Sequence, residues 1–210
     1  GNVVDPNMLF EKYGADAVRW YFYTVNQPED SKLFDESDIE KTKRNFLDFL
    51  SNSLRFYELY ADVKRKKTSH VLDRWVRTRF AAVRDEVTKR MDAYDIVGAA
   101  RLLEDFVGND ISRWYVRRSR ERMKDGEGVD ALRDVLLGIA LLAAPFAPFA
   151  SETIYQVLGG KAESVHLDRW PKKVAVNKKL LSDMEEIRRI AATGLELRAR
   201  GGIKVRQPLA

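Results

Sequence analysis

Apolar residues recur along this chain at spacings of three and four, the period of an α-helix that buries one face. Asp5 before Pro6 is a start signal, a capping carboxylate followed by a proline at the first helical position, and Gly14 is a stop; they predict a short helix over 6–13. A second helix is expected from Ala15 to Val25. The polar stretch 26–31, with Pro28, breaks the chain. Ser37 and Glu40 then form a capping box for a longer helix whose buried stripe is Ile39, Phe46, Leu50, Leu54, Tyr57 and Ala61. The cluster Lys64 to Lys67 ends it, because cations favour the negative end of a helix dipole.

The pattern continues beyond a short link, where Leu72, Val76, Phe80, Val83, Val87 and Met91 step by four or three. Asp95 can cap the next helix, with Ile96, Ala100, Leu103, Val107, Ile111 and Trp114 on its inner face. After the Gly126-Glu127-Gly128 turn, Leu132, Val135, Leu136, Ile139 and Leu142 mark a helix that runs to Pro145, and Pro148 starts another that closes at Gly159-Gly160. Residues 177–200 return to helix with Leu180, Met184, Ile187, Ile190 and Ala191 on one side, and Ile203-Lys204-Val205 alternates like the start of a strand. Long helices joined by short links must each bury a stripe against a neighbour, so the block from about 37 to 158 is expected to be an all-α helical bundle.

Composition narrows the chemistry. With 210 residues, 45% hydrophobic and 33% charged, the chain is a folded one, and the absence of cysteine excludes disulfides, thiol nucleophiles and Cys-ligated metals. Two isolated histidines, His70 and His166, make a histidine metal cluster implausible, so no metal site is expected. The cytoplasm is the expected compartment, and the apolar stretch 135–150, short of the ~20 residues of a membrane span, reads as core. No nucleophile elbow, phosphate-binding glycine loop or dinucleotide fingerprint occurs, and Glu104 and Asp105 are consecutive, so they point apart on a helix. Catalysis by this chain alone is not expected. The first residue is a glycine within a turn-like stretch, which reads as a segment of a longer protein.

The net charge of +5 is concentrated. Arg113, Arg117, Arg118, Arg120, Arg122 and Lys124 face the single acid Glu121, so this stretch carries the whole excess. On a helix, positions 113, 117, 120 and 124 share a stripe, with Arg118 and Arg122 beside it. Such crowding costs a few tenths, about 0.2–0.5 kcal/mol, per like-charge pair, which makes sense if an anion lies across it. Arginine forks match phosphate, and Trp114, Tyr115 and Tyr94 are close in sequence and offer faces for an unpaired base. The competing reading is a solvated helix face whose arginines pair with acids of another helix, with Trp114 in the core. The two readings differ in whether carboxylates cover the arginines.

Several stretches then resemble one family. Gly1-Asn2-Val3-Val4-Asp5-Pro6 followed by Lys12-Tyr13-Gly14-Ala15-Asp16-Ala17-Val18-Arg19 is similar to the segment behind the KMSKS loop of class I aminoacyl-tRNA synthetases with large aliphatic substrates. Leu72-Asp73-Arg74-Trp75, the run from Asp110 to Arg120, Ala144-Pro145-Phe146-Ala147-Pro148-Phe149, Ser164-Val165-His166-Leu167 and Trp170-Pro171 look like landmarks of their anticodon-binding domain. Trp114-Tyr115 ahead of Arg117-Arg118-Ser119-Arg120, and the closing Lys204 to Leu209, resemble the isoleucyl branch more than the valyl or leucyl ones.

The resemblance implies a stem-contact segment over 1–34, the anticodon-binding bundle over 35–171, and over 172–210 a helix with the start of a further C-terminal region. It implies the anticodon stem-loop of tRNA(Ile) as partner, together with the catalytic domain of the same parent chain and no membrane. No cofactor is implied for this segment, while ATP and Mg would belong to the parent's catalytic domain, where isoleucine is attached to tRNA. The roles it suggests are phosphate contact for Arg117, Arg118 and Arg120, supporting charge from Arg113 and Arg122, and base or ribose packing by Tyr115. A helical protein-protein or interdomain module is the alternative outside the family.

Overall fold

A computed structural model describes residues 5–27, 29–31, 34–67, 69–205 and 207. The Pro28 break, the first four residues of the opening stretch, and Arg206, Pro208 and Leu209 of the closing one lie outside the described residues. The order is α1 (Pro6–Tyr13), α2 (Ala15–Thr24), α3 (Glu36–Lys43), a π-helical segment (Arg44–Asp48), α4 (Phe49–Glu58), α5 (Val71–Asp92) and α6 (Ile96–Asp105). A second π segment (Phe106–Val116), α7 (Arg117–Lys124), α8 (Val129–Ala143), α9 (Pro148–Val157), a 3-10 turn (Val165–Leu167) and α10 (Lys178–Arg200) complete it. No strand occurs among the described residues. Ile203 to Val205, expected to begin one, instead turn back on α10, with the Ile203 N–H donating to the Arg198 carbonyl at 2.9 Å.

Most helix ends follow the local signals. The Asp5 carboxylate accepts from Asn7 N at 2.9 Å, Asp95 from Gly98 N at 2.8 Å and Asn177 from Leu180 N at 3.0 Å. Ser37 is not the cap of α3. Asp35 takes that place and accepts from Ser37 N at 2.8 Å, setting a carboxylate against the positive end of the helix. α9 has no cap of its own at Ala147; Asp16 of α2 supplies it across the fold, accepting from Ala150 N at 2.6 Å and Phe149 N at 3.4 Å.

One large core gathers α2, α4, α5, α6, α8 and α9. Trp20 stacks on Phe46 with ring centres 3.6 Å apart, and its Nε1 donates to Glu104 at 3.0 Å, so α2 shares the bundle's core. A smaller cluster of Leu9, Ala17, Val18, Tyr21 and Ile39 joins α1, α2 and α3. At the far end of α4, Arg65 donates to the carbonyls of Tyr60 and Val63 at 2.9 and 2.8 Å and pairs with Asp130 at 3.1 Å, a helix-end role for the basic cluster.

Candidate nucleic-acid interface

The run from Ile96 to Lys124 is one continuous helical rod, and its π segment decides which side chains face out. Leu103, Val107, Ile111, Tyr115, Ser119 and Met123 are all buried, a repeat of four where a regular helix has 3.6 residues per turn. The wider turn of the π segment accounts for the shift. Three turns on from Leu103, a helix of 3.6 residues per turn would bring Trp114 inward; at four per turn it is Tyr115.

Arg113, Arg117, Arg118 and Arg120 are exposed, and none has a carboxylate partner among the described residues. Three of the four stems are instead steadied by neutral or aromatic groups. Arg113 lies over Phe49 at 4.7 Å and donates to Asn109 Oδ1 at 2.7 Å, and Arg120 lies over Phe56 at 5.5 Å. Arg118 covers the Trp114 ring at 3.3 Å, and burial, followed by the charges of Arg117 and Arg188, lowers its pKa. These four guanidinium groups form a ridge of uncompensated positive charge from the α4 side to the α10 side. Lys124 is paired with Glu121 at 2.7 Å.

Two expected site residues are not on this ridge. Tyr115 is 0% exposed, so it cannot pack on a base or ribose; its hydroxyl donates to Asp73 Oδ1 at 2.7 Å and lies 3.1 Å from the Gly128 carbonyl. Burial, and then the charge of Asp73, pushes its pKa well up. Arg122 folds back toward α5 and donates to the two carboxylate oxygens of the fully buried Asp73 at 2.8 and 3.1 Å, so its charge is already matched. Burial alone would lower the Arg122 pKa, but the hydrogen bonds and charge of Asp73 more than offset it.

The aromatic residues are likewise redistributed. Trp114, expected in the core, is half-buried between Arg118 at 3.3 Å and Arg188 of α10 at 5.1 Å. Tyr94 is not beside it: it sits at the opposite end of the rod, about 30 Å away at ~1.5 Å per residue. Arg188 had no local signal, since it reaches the site only by the packing of α10 across α5. It pairs with buried Asp110, which also accepts from Arg79 Nε at 2.7 Å. An aspartate next to Ile111 of the predicted inner face was the one hint that a cation must come to it.

Residues 73–210 match the family described as the anticodon-binding domain of tRNA ligase. The chain belongs to that family. Over its whole length it is 37% identical to the isoleucine–tRNA ligase of Deinococcus radiodurans, 38% to that of Clostridium tetani and 35% to that of Thermus thermophilus. It spans 21–22% of the length of these relatives. The fold is similar to that of the LeuRS of Agrobacterium radiobacter K84, solved in a ternary complex with tRNA and LeuAMS; the TM-score is 0.61 at 19% identity, over 86% of this chain and 22% of that one.

In this anticodon-binding domain the most recognisable landmarks are therefore clasps. Asp73 and Asp110 are the buried partners that fix Arg122, Arg79 and Arg188, and the ridge rests on the rod they hold. No described group of three His, Cys, Asp or Glu side chains is placed to hold a metal ion, and no described helix is long and apolar enough to cross a membrane.

Proposed function

We propose that this anticodon-binding domain is the tRNA-binding part of an isoleucine–tRNA ligase, and that it receives the anticodon stem-loop of tRNA(Ile) on the ridge of Arg113, Arg117, Arg118 and Arg120. The observation that carries the reading is four exposed guanidinium groups without carboxylate partners among the described residues. The identity to isoleucine–tRNA ligases along the whole of this chain supports the isoleucyl assignment. Residues 1–34 would meet the stem and 35–171 the anticodon arm. Attachment of isoleucine, with ATP and Mg, belongs to the catalytic domain of the parent chain, and the domain by itself supplies affinity and orientation without ligating.

Contact with about four phosphates at a slope of ~0.8 each weakens binding about a hundredfold between 50 and 200 mM salt. The test is titration of labelled tRNA with the wild type and with Arg117→Glu/Arg118→Glu across that salt range, circular dichroism confirming that the variant keeps its helices. The expected result is weaker binding and a shallower salt slope. Unchanged affinity and slope would remove the assignment.

A further inference from the structure

α10 is long but lightly held. It has 23 residues, yet Met184 is its one buried side chain, with Leu180 and Leu181 packed against the core beside it. The chain leading into it is last anchored where Trp170 Nε1 donates to Thr88 Oγ1 at 2.8 Å, and residues 171–176 make no hydrogen bond among the described residues. Arg188 supplies the one hydrogen-bonded link from α10 to another helical segment among the described residues. It pairs with Asp110, donates to the Asn109 carbonyl at 3.4 Å, and lies over Trp75 at 5.7 Å and Trp114 at 5.1 Å.

The charges at this link do not balance. Asp110 sets one negative charge between two guanidinium groups, and Arg79 alone can match it through Nε at 2.7 Å, so the docked Arg188 brings one positive charge in excess. Asp105 and Glu185, the other carboxylates lining the same cleft, form no ion pair with either arginine. The excess is felt on the ridge because Trp114 is shared. Arg118 covers the same ring at 3.3 Å, so the two cations are no farther apart than those two distances together allow. After burial and Arg117, Arg188 is the next cause that lowers the Arg118 pKa.

We propose that Arg188 is a positioning residue that couples the docking of α10 to occupation of the ridge by an anion. With the ridge empty, Arg188 and Arg118 repel each other at Trp114, and α10 docks against that repulsion. A phosphate on Arg118 cancels it, so bound RNA holds α10 more firmly on the rod. By linkage, a docked α10 strengthens the hold on that phosphate by the same factor. Two unit charges at this range, in surroundings between water and protein interior, give a factor of about five. Arg79 lets the link open without stranding a carboxylate, since it keeps Asp110 paired when Arg188 departs. The inference rests on the tRNA-binding reading above.

Hydrogen exchange of the α10 amides over 190–200 tests this, with and without a saturating stem-loop RNA, in wild type and in Arg118→Met. Exchange there reports local opening of α10. RNA is expected to slow it about fivefold in wild type. Arg118→Met should still bind through the rest of the ridge but show no slowing, which separates coupling from direct cover of α10 by RNA. Affinity gives the reciprocal half. Arg188→Met should bind the stem-loop about fivefold more weakly, Arg188→Lys, which keeps the charge, should recover most of that, and Arg188→Met should cost nothing further in the Arg118→Met background. The exchange comparison leaves Arg188 intact, so it decides the question even where Arg188→Met loosens α10. Wild-type binding with unchanged α10 exchange, slowing that persists in Arg118→Met, or an Arg188→Met cost that persists without Arg118 would each refute the coupling, although RNA binding stands. If wild type retains no RNA, the tRNA-binding reading fails and this inference falls with it.

Discussion

Arg122→Met separates structural from exposed arginines. Arg122 is only 17% exposed in its side chain, and its Nη atoms provide two of the three hydrogen bonds recorded to the carboxylate of Asp73, the third coming from Tyr115. Methionine preserves the aliphatic stem but strands that carboxylate in the core. Breaking a buried pair from one side costs about 3–5 kcal/mol. At about 2–4 °C per kcal/mol for a chain of this size, the midpoint should fall by about 6–20 °C. Removing both charges in Asp73→Leu/Arg122→Met should recover most of the loss, because an apolar replacement of a buried pair is often neutral, and Tyr115 keeps the Gly128 carbonyl. Thermal melts by circular dichroism measure this, and tRNA titration gives the complementary half. Arg122→Met, assayed below its midpoint, keeps the wild-type salt slope, whereas Arg117→Met leaves the melt alone and lowers the slope by about 0.8. An Arg122→Met protein that melts like wild type and binds with a reduced slope would refute the assignment of Arg122 to the clasp.

The same pair of backbone bonds closes α5, α7, α9 and α10, with Gly126, Gly159 and Gly202 in the left-handed position of the last three and Tyr94, at φ 59° and 87% exposed, in that of α5. Relief of ~1–2 kcal/mol of left-handed strain, less ~0.5–1 for glycine's freer unfolded chain, should raise the midpoint of Tyr94→Gly by about 1–4 °C. Tyr94→Ala keeps the strain and should show no gain; equal melts for the two variants would disprove the account. Tyr21, Tyr115 and Tyr155 are all pushed above the usual phenol value of ~10, burial being the first cause in each. A raised folded pKa gives stability that is complete below ~10 and is lost as pH rises, so phenolate absorbance from this group should appear together with loss of helix signal. Full ionisation of every tyrosine while the helices stay intact would contradict it.

Local signals were legible and remote ones were not. Asp5 with Pro6, Asp95, Pro148 and Asn177 mark helix starts because a cap acts on its own first turn. Asp16 escaped reading for the opposite reason: as a cap it serves α9, more than a hundred positions away, and nothing in the sequence around it encodes that distance. Arg188 belongs to the same class. The excess charge between Arg113 and Lys124 was visible in composition, but its division into exposed and matched groups depended on Asp73, which lies on another helix. Ile203 to Val205 alternate as a strand would, yet after Gly202 they have α10 to fold against and no partner strand among the described residues.

The division of the arginines follows from the number of residues per turn. At four per turn the rod has four columns, and the one through Val107, Ile111, Tyr115, Ser119 and Met123 faces the core. The opposite column then contains Asp105, Asn109, Arg113, Arg117 and Glu121, the most outward line on the rod, and Arg113 reaches Asp105 only through the Asn109 amide, by bonds of 2.7 and 2.6 Å. One flanking column carries Arg120 toward Phe56 of α4; the other carries Trp114, Arg118 and Arg122 toward α10 and α5. Of the charges in that last column, Arg122 comes level with the buried Asp73 and is captured, while Arg118, one turn earlier, lies over the Trp114 ring, has no carboxylate partner among the described residues and stays available. A regular helix would have turned Trp114 inward and Tyr115 outward, removing the platform under Arg118 and the donor to Asp73 together. The wide turns of the π segment therefore set both the clasp that holds the rod and the cationic face that the rod presents.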